Sequence, residues 1–419
     1  MISELDQSAK EMRILIVTEM WPPHSGTFVV EQIKSLAPFI SITVAVLVPC
    51  PPDWPRYHSG RSPLTAMPEG PQQMPELGNQ VTVYYLRYQT IPELGKYLNS
   101  KRAYHVLTQF LREHNEFELI HAHFAYVLGY AAVRAGQQLH LPVVVTTHGS
   151  DINYYTRRTP TNWTAAWPTI WGLRHASAIT VVCEDLRKKI LSFNVPAERL
   201  VIIPAGVREN TFFPRGEKTA LRQQLKLSEK DTILLFVGNL IPVKGLKFLF
   251  RALKQVGEKQ SPIKIIIIGG GDLDISLKKL AHTLGIERNI IWAGRKPHAE
   301  IPFWMGAADF LVLPSLSEGY PMVVLESLAC GTPVIASRVG GIPEILVSSD
   351  FGTLVPARDS DALAQAILDA VDRNWDRTKL VAYARANTWS KRAQRFLKVY
   401  QTVIENAATT TSDSGLQTS

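Results

Sequence analysis

Short apolar runs separated by glycine- and proline-rich turns set the pattern of this chain. Residues 12–18 read as a buried strand, and 42–48, 81–86 and 119–123 as further strands of the same sheet. Residues 141–151 (LPVVVTTHGSD), 178–183 and 200–203 repeat the signal. Helical spacing appears over 97–114, and an earlier helix should begin near Gly26 or Thr27. After Pro204 the alternation starts again. Residues 232–237, 263–268 and 289–292 read as strands, and 219–225, 359–371 and 389–403 as helices. Strands alternating with helices predict parallel α/β sheets. Between 49 and 80 the chain is proline-rich and aperiodic, a loop of a length that is uncommon unless functional or disordered.

The stretch 308–345, ADFLVLPSLSEGYPMVVLESLACGTPVIASRVGGIPEI, is the most informative. Residues 309–313 predict a strand, 321–330 a helix stopped by Gly331, and 333–337 a second strand. The unit is βαβ, and ligands of such sheets bind at the carboxyl ends of strands. Unpaired amides at the helix start suit a diphosphate. Glu318 and Glu326, with seven residues between them, would then accept hydrogen bonds from ribose or sugar hydroxyls. Taken singly, each also reads as a solvated acid.

At 419 residues the chain exceeds one ordinary core, so two domains are expected. Its formal net charge of +8 raises nucleic acid as a partner, but no basic run is interleaved with aromatics. An anionic substrate or an anionic membrane surface fits better, beside the plain reading of a basic soluble protein. Three scattered cysteines indicate a reducing compartment. Without an apolar signal core or an apolar run of spanning length, a cytoplasmic location is expected, with peripheral attachment to the inner face of a membrane as an extension.

Other residues carry candidate chemistry. Lys244, in PVKG, sits at a helix start, where a cation is unfavourable unless an anion joins it. His148 ends a strand in THGSD, with Asp151 placed to orient the loop. His121 and His123 end another in HAHF, without a third ligand at metal spacing. Trp163, Trp167 and Trp171 recur every four residues and read as the packing face of a helix. GGGD at 269–272 lacks the third glycine of a dinucleotide fingerprint, and its acids read as helix caps.

The segment SEGYPMVVLESLACGTPVIAS, continued by GG-x-x-E at 340–344, resembles the Glu-x7-Glu signature of retaining glycosyltransferases of family 4, with similar landmarks over 12–396. The resemblance implies an α/β GT-B fold, two Rossmann-like domains with parallel sheets facing across a cleft. Residues 1–205, with a crossing helix at about 389–405, would bind the acceptor. Residues 206–388 would bind a nucleoside diphosphate sugar, and 406–419 would be a disordered tail. The resemblance further implies His148, Lys244 and Glu318 as catalytic residues. Donor contacts would come from Gly26, Asn239, Lys244, Arg295, Glu318, Gly319, the amides near Val324 and Leu325, and Glu326 on the ribose. His123 would line the acceptor side. Asn239 stands where the family has arginine, so either another cation such as Arg295 or Arg338 substitutes or the leaving group is stabilised less. No obligate cofactor or metal is implied. The acceptor would be a glycan or a lipid-linked oligosaccharide. A glycoside phosphorylase, a sugar-nucleotide epimerase and a non-enzymatic nucleotide-binding scaffold are the alternatives.

Overall fold

The computed structural model describes residues 12–21, 27–50, 68, 70–78, 81–90, 96–156, 162–257 and 263–415. Gly26, most of the 49–80 loop and the Trp163 side chain lie outside the described residues. The chain divides into two units: Met1–Pro204 with Ser390–Ser419, and Ala205–Trp389. No helix among the described residues is long and apolar enough to cross a membrane.

The first unit is built on eight strands: β1 (Arg13–Thr18), β2 (Ser41–Cys50), β3 (Gln72–Gln73), β4 (Val81–Gln89), β5 (Leu119–His123), β6 (Val143–Thr147), β7 (Ala178–Val181) and β8 (Leu200–Ile202). Their order is β3-β4-β2-β1-β5-β6-β7-β8, parallel throughout except for β3. Ile14, Leu15, Ile16 and Val17 of β1 are all fully buried, so neither face meets water. That burial explains why the strand reads as a continuous apolar run.

Helix Trp163–His175 carries the tryptophan series. Trp167 packs edge-on to Tyr97 at 5.4 Å but is 54% exposed, so at Trp167 the face is open and not buried. The final helix, Trp389–Gly415, sends Phe396 and Tyr400 into the first unit, where the Tyr400 hydroxyl meets His121 Nδ1 at 2.7 Å. It continues to Gly415, into the stretch expected as a tail from 406. Glu405, Asn406, Ala407 and Ala408 lack any helix breaker, and Thr409 Oγ1 bonds back to the Glu405 carbonyl at 2.7 Å.

The second unit has six parallel strands: β9 (Thr232–Val237), β10 (Ile263–Ile268), β11 (Ile290–Gly294), β12 (Phe310–Leu313), β13 (Val334–Ser337) and β14 (Gly352–Val355). Their order is β11-β10-β9-β12-β13-β14. Helix Leu246–Gly257 buries Leu246, Leu249, Phe250, Leu253 and Val256, the i, i+3, i+4 spacing of one apolar stripe. Helix Ser360–Val371 starts where Asp359 accepts hydrogen bonds from the Asp361 and Ala362 amides, a cap worth about 1 kcal/mol.

Candidate active site

In the second unit β9 and β12 are neighbours, with Leu234 opposite Phe310 and Leu235 opposite Leu311. Their carboxyl ends therefore deliver two loops to one place. After β9 the chain passes Asn239 into a single turn, Pro242–Lys244. Gly245 follows with a φ of 69°, pressed so close to the Pro314 carbonyl that a Cβ would lie 2.0 Å from its oxygen. Only glycine permits that approach. The Leu316 amide donates to the Val243 carbonyl at 2.7 Å and fixes the register of the two loops. Lys244 Nζ then donates to Glu318 Oε1 at 2.7 Å, and Ser315 Oγ donates to the same oxygen at 2.6 Å. Both charged side chains are largely enclosed, at 19% and 11% exposure. On the other side Gly340, at φ 53°, would place a Cβ 2.1 Å from the Glu318 carbonyl. The Gly341 amide donates to the Gly319 carbonyl at 2.7 Å. The Glu318–Gly319 loop is thus held from both sides.

Helix Met322–Ala329 begins right after this loop. Val324 and Leu325 point into the core, and the Val324 amide donates to the Pro321 carbonyl at 3.1 Å. Leu325 stands where regular intrahelical bonding starts. At this helix start the amides of Met322 and Val323 make no hydrogen bond among the described residues. Pro321 is the N-cap, so the helix begins one residue later than the pattern suggested.

Glu326, in the same helix, is 5% exposed. Arg208 Nη2 and His298 Nε2 each stand 3.9 Å from its Oε1. Burial, then the Arg208 charge, lowers the His298 pKa to about 4, so near neutral pH the ionic partner of Glu326 is Arg208. The Arg208 guanidinium also lies 2.6 Å from His298 Nε2 and over the Phe212 ring. Arg208 was missed in the sequence because it sits in what reads as linker. Arg295 reaches across the loop after β10, with Nη2 3.3 Å from the Gly270 carbonyl, which also accepts the Leu240 amide at 3.2 Å. Arg295 therefore lies beside the Asn239 turn. Arg338 lines a separate hollow with Leu354, Arg373 and Trp375.

In the first unit, strand pairing sets His123 opposite Thr146, at the ends of β5 and β6. His123 Nδ1 lies 3.0 Å from His148 Nε2, and the two rings stack at 5.2 Å. Phe28 and Phe124 close on His148 at 4.5 and 4.7 Å. Burial lowers His123 to about 3; burial and the His123 ring take His148 well below its ordinary value. Both are neutral at pH 7 and share one proton-donating contact. His121 is engaged by Tyr400 and by Thr146 Oγ1, and among the described residues no three His, Cys, Asp or Glu side chains gather as a metal site. Asp151 ties the area together. Its Oδ1 accepts the amides of His148, Gly149 and Ile152 at 3.2, 2.9 and 3.1 Å, and Oδ2 that of Ala125 at 2.9 Å. Burial raises its pKa, and those four amides work against the rise.

Acid should unfold this region early. His121, His123 and His148 are all held below the unfolded value of about 6.5. In that window the unfolded chain binds more protons, so stability is complete above it and falls as pH drops. We expect chemical unfolding to show a loss of more than about 1 kcal/mol between pH of about 6 and 5. A stability constant across that range would contradict the neutral, buried imidazoles.

Comparison with known proteins agrees with this architecture. Residues 217–387 match the family model described as Glycosyl transferases group 1, and residues 43–210 match Glycosyltransferase Family 4. TuaC of Bacillus subtilis (strain 168), named as a glycosyltransferase of teichuronic acid biosynthesis, is 29% identical over 370 residues, covering 85% of this chain and 88% of its own. Sucrose-phosphate synthase from Thermosynechococcus elongatus shares the fold, with a TM-score of 0.72 and 20% identity over 97% of this chain and 100% of that one. HepE from Anabaena, in complex with UDP-glucose, gives a TM-score of 0.64 and 21% identity over 96% and 100%. Two parallel-sheet α/β units of this kind define a GT-B glycosyltransferase. The chain belongs to the group 1 and family 4 glycosyltransferases, in agreement with the resemblance in its sequence.

Proposed function

We propose that the protein is a retaining glycosyltransferase that moves a sugar from a nucleoside diphosphate sugar to a hydroxyl of a glycan or lipid-linked acceptor, in polysaccharide biosynthesis. The observation that carries this reading is the Lys244–Glu318 pair, set beside the open amides of Met322 and Val323. A cation and a helix start together suit a diphosphate without a metal ion. Arg295, beside the Asn239 turn, supplies the second positive charge. Glu318 turns to the donor sugar and Glu326 to the ribose. The neutral His148 is the catalytic residue assigned to the first unit, and His123, stacked on it, is assigned to the acceptor side. HepE, which carries UDP-glucose in its structure, and TuaC, named for a polysaccharide pathway, support the donor and acceptor classes.

The direct test is incubation with UDP-, GDP- and ADP-sugars, scoring acceptor-dependent release of nucleoside diphosphate and the anomer of the product. A phosphorylase would require inorganic phosphate, an epimerase would need no acceptor, and a scaffold would release nothing. Product of inverted configuration would end the retaining assignment.

Glu326→Ala should weaken nucleotide binding roughly tenfold to a hundredfold, since hydrogen bonds to a charged group contribute about 1.5–3 kcal/mol. Titration calorimetry with the preferred donor's nucleoside diphosphate measures it. Unchanged affinity would remove Glu326 from the ribose.

A further inference from the structure

A second hollow in the second unit is built from charge. It has a volume of about 440 Å³ and is lined by Thr232 at the start of β9, Phe310 at the start of β12 and Pro333 just before β13. Lys244 and Glu318 follow the opposite ends of β9 and β12, a strand length of about 20 Å away. Asp309 lies at its floor. Its Oδ2 accepts Arg222 Nη2 at 2.6 Å and the Ile233 amide at 2.7 Å, and its Oδ1 accepts Lys218 Nζ at 2.5 Å. Arg222 is buried and gives its remaining donors to the carbonyls of Ala307, Glu229 and Asp231, so it bolts the fold together.

Lys218 and Arg377 are placed differently. Lys218 has three donors and, among the described residues, bonds only Asp309. Arg377 has five donors and makes no hydrogen bond or salt bridge among the described residues. Both line the hollow, with Lys230 and Arg373. The Asp309 carboxylate, with both oxygens taken, acts on both cations; Glu229 and Asp231 also line the hollow, and Glu217 acts on Arg377. Burial lowers the pKa of Lys218 and of Arg377; Asp309 pulls both upward without restoring either, and Arg222 adds to the depression. Positive charge held in a half-enclosed space with unused donors is stabilised by an anion. The hollow is larger than one oxyanion, and Trp375, Phe310, Val371 and Pro333 give it an apolar wall.

We propose that this hollow binds a phosphoryl group carried on a small organic body, with Lys218 and Arg377 as its ligands. The source is a soluble phosphomonoester or a phosphomonoester lipid headgroup. The proposal is independent of the reading of the Lys244 site. It is tested by calorimetry with glycerol 3-phosphate, and by flotation with vesicles of phosphatidic acid in phosphatidylcholine against phosphatidylcholine alone.

Three proteins are compared: wild type, Arg377→Ala and Lys244→Ala. Arg377 holds no other side chain, so its alanine variant should unfold at the wild-type denaturant midpoint. Binding should weaken roughly tenfold or more in Arg377→Ala, recover in part in Arg377→Lys, and stay within about twofold in Lys244→Ala. Binding of glycerol 3-phosphate with that dependence assigns a soluble ligand. Arg377-dependent binding confined to phosphatidic acid vesicles assigns the headgroup. If wild type binds neither probe, if Arg377→Ala binds as wild type does, or if only Lys244→Ala loses binding, the proposal is wrong.

Discussion

Lys244→Ala is expected to lower kcat by about a hundredfold, the effect of removing one preorganised charge-stabilising donor. In the proposed reaction, negative charge grows on the leaving diphosphate as the bond to the sugar breaks. A cation fixed beside it stabilises the transition state more than the ground state, so the loss should fall on kcat more than on KM. The geometry adds a second route. Lys244 is paired with Glu318 at 2.7 Å, and Ser315 shares the same oxygen. Alanine at 244 would leave Glu318 enclosed with one neutral donor, free to swing from the sugar. The two routes separate in Lys244→Ala/Glu318→Gln. If Lys244 only holds Glu318 in place, the double variant should be no slower than Glu318→Gln alone. If it stabilises the leaving group, the double variant should lose close to the further hundredfold. Asn239→Arg refines the picture: because Arg295 already lies beside that turn, an added guanidinium should be repelled and activity should fall. Undiminished kcat in Lys244→Ala would remove the residue from the mechanism.

The strands were legible because parallel sheets bury both faces. IKIIII of β10 and RILIVT of β1 leave little choice of structure. Lys244 and Glu318 were legible as separate signals, a cation at a helix start and an acid in a strand-end loop. Their contact was not, since it depends on β9 pairing with β12 and on Gly245 fitting against Pro314. Arg208 has no local pattern that points to Glu326, more than a hundred residues away in sequence. Asp309 read as the first residue of a strand. Its role as the shared partner of Lys218 and Arg222 comes from chain that is distant in sequence. His123 and His148 each ended a predicted strand, and the β5–β6 register is what stacks them. In each case residue type and local period were readable, and tertiary pairing was not.

Asp151→Ala should be the most destabilising single change in the first unit, at about 4 kcal/mol. Its 1% exposed carboxylate is the acceptor for four backbone amides, and a buried donor left unsatisfied costs about 1–3 kcal/mol. Water admitted into the space of the lost carboxylate would recover part of that sum. The bond to Ala125 has a further task. Phe124 has a φ of 73°, and Val127 a φ of 60° with ψ of −66°, conformations that cost about 1–3 kcal/mol each outside glycine. Those residues follow His123 directly, and Phe124 packs on His148. Asp151 therefore stores strain at the turn that walls the two histidines. When it is removed, the Ala125 amide is released, the turn can relax, and His148 loses its ring contact. Asp151→Asn keeps one acceptor oxygen and should lose about half as much. Chemical unfolding measures both variants. Hydrogen exchange at the Ala125 and Gly149 amides should quicken in the alanine variant before global unfolding does. An Asp151→Ala protein within about 1 kcal/mol of wild type would mean that water replaces the carboxylate at little cost, and that the turn holds its shape without it.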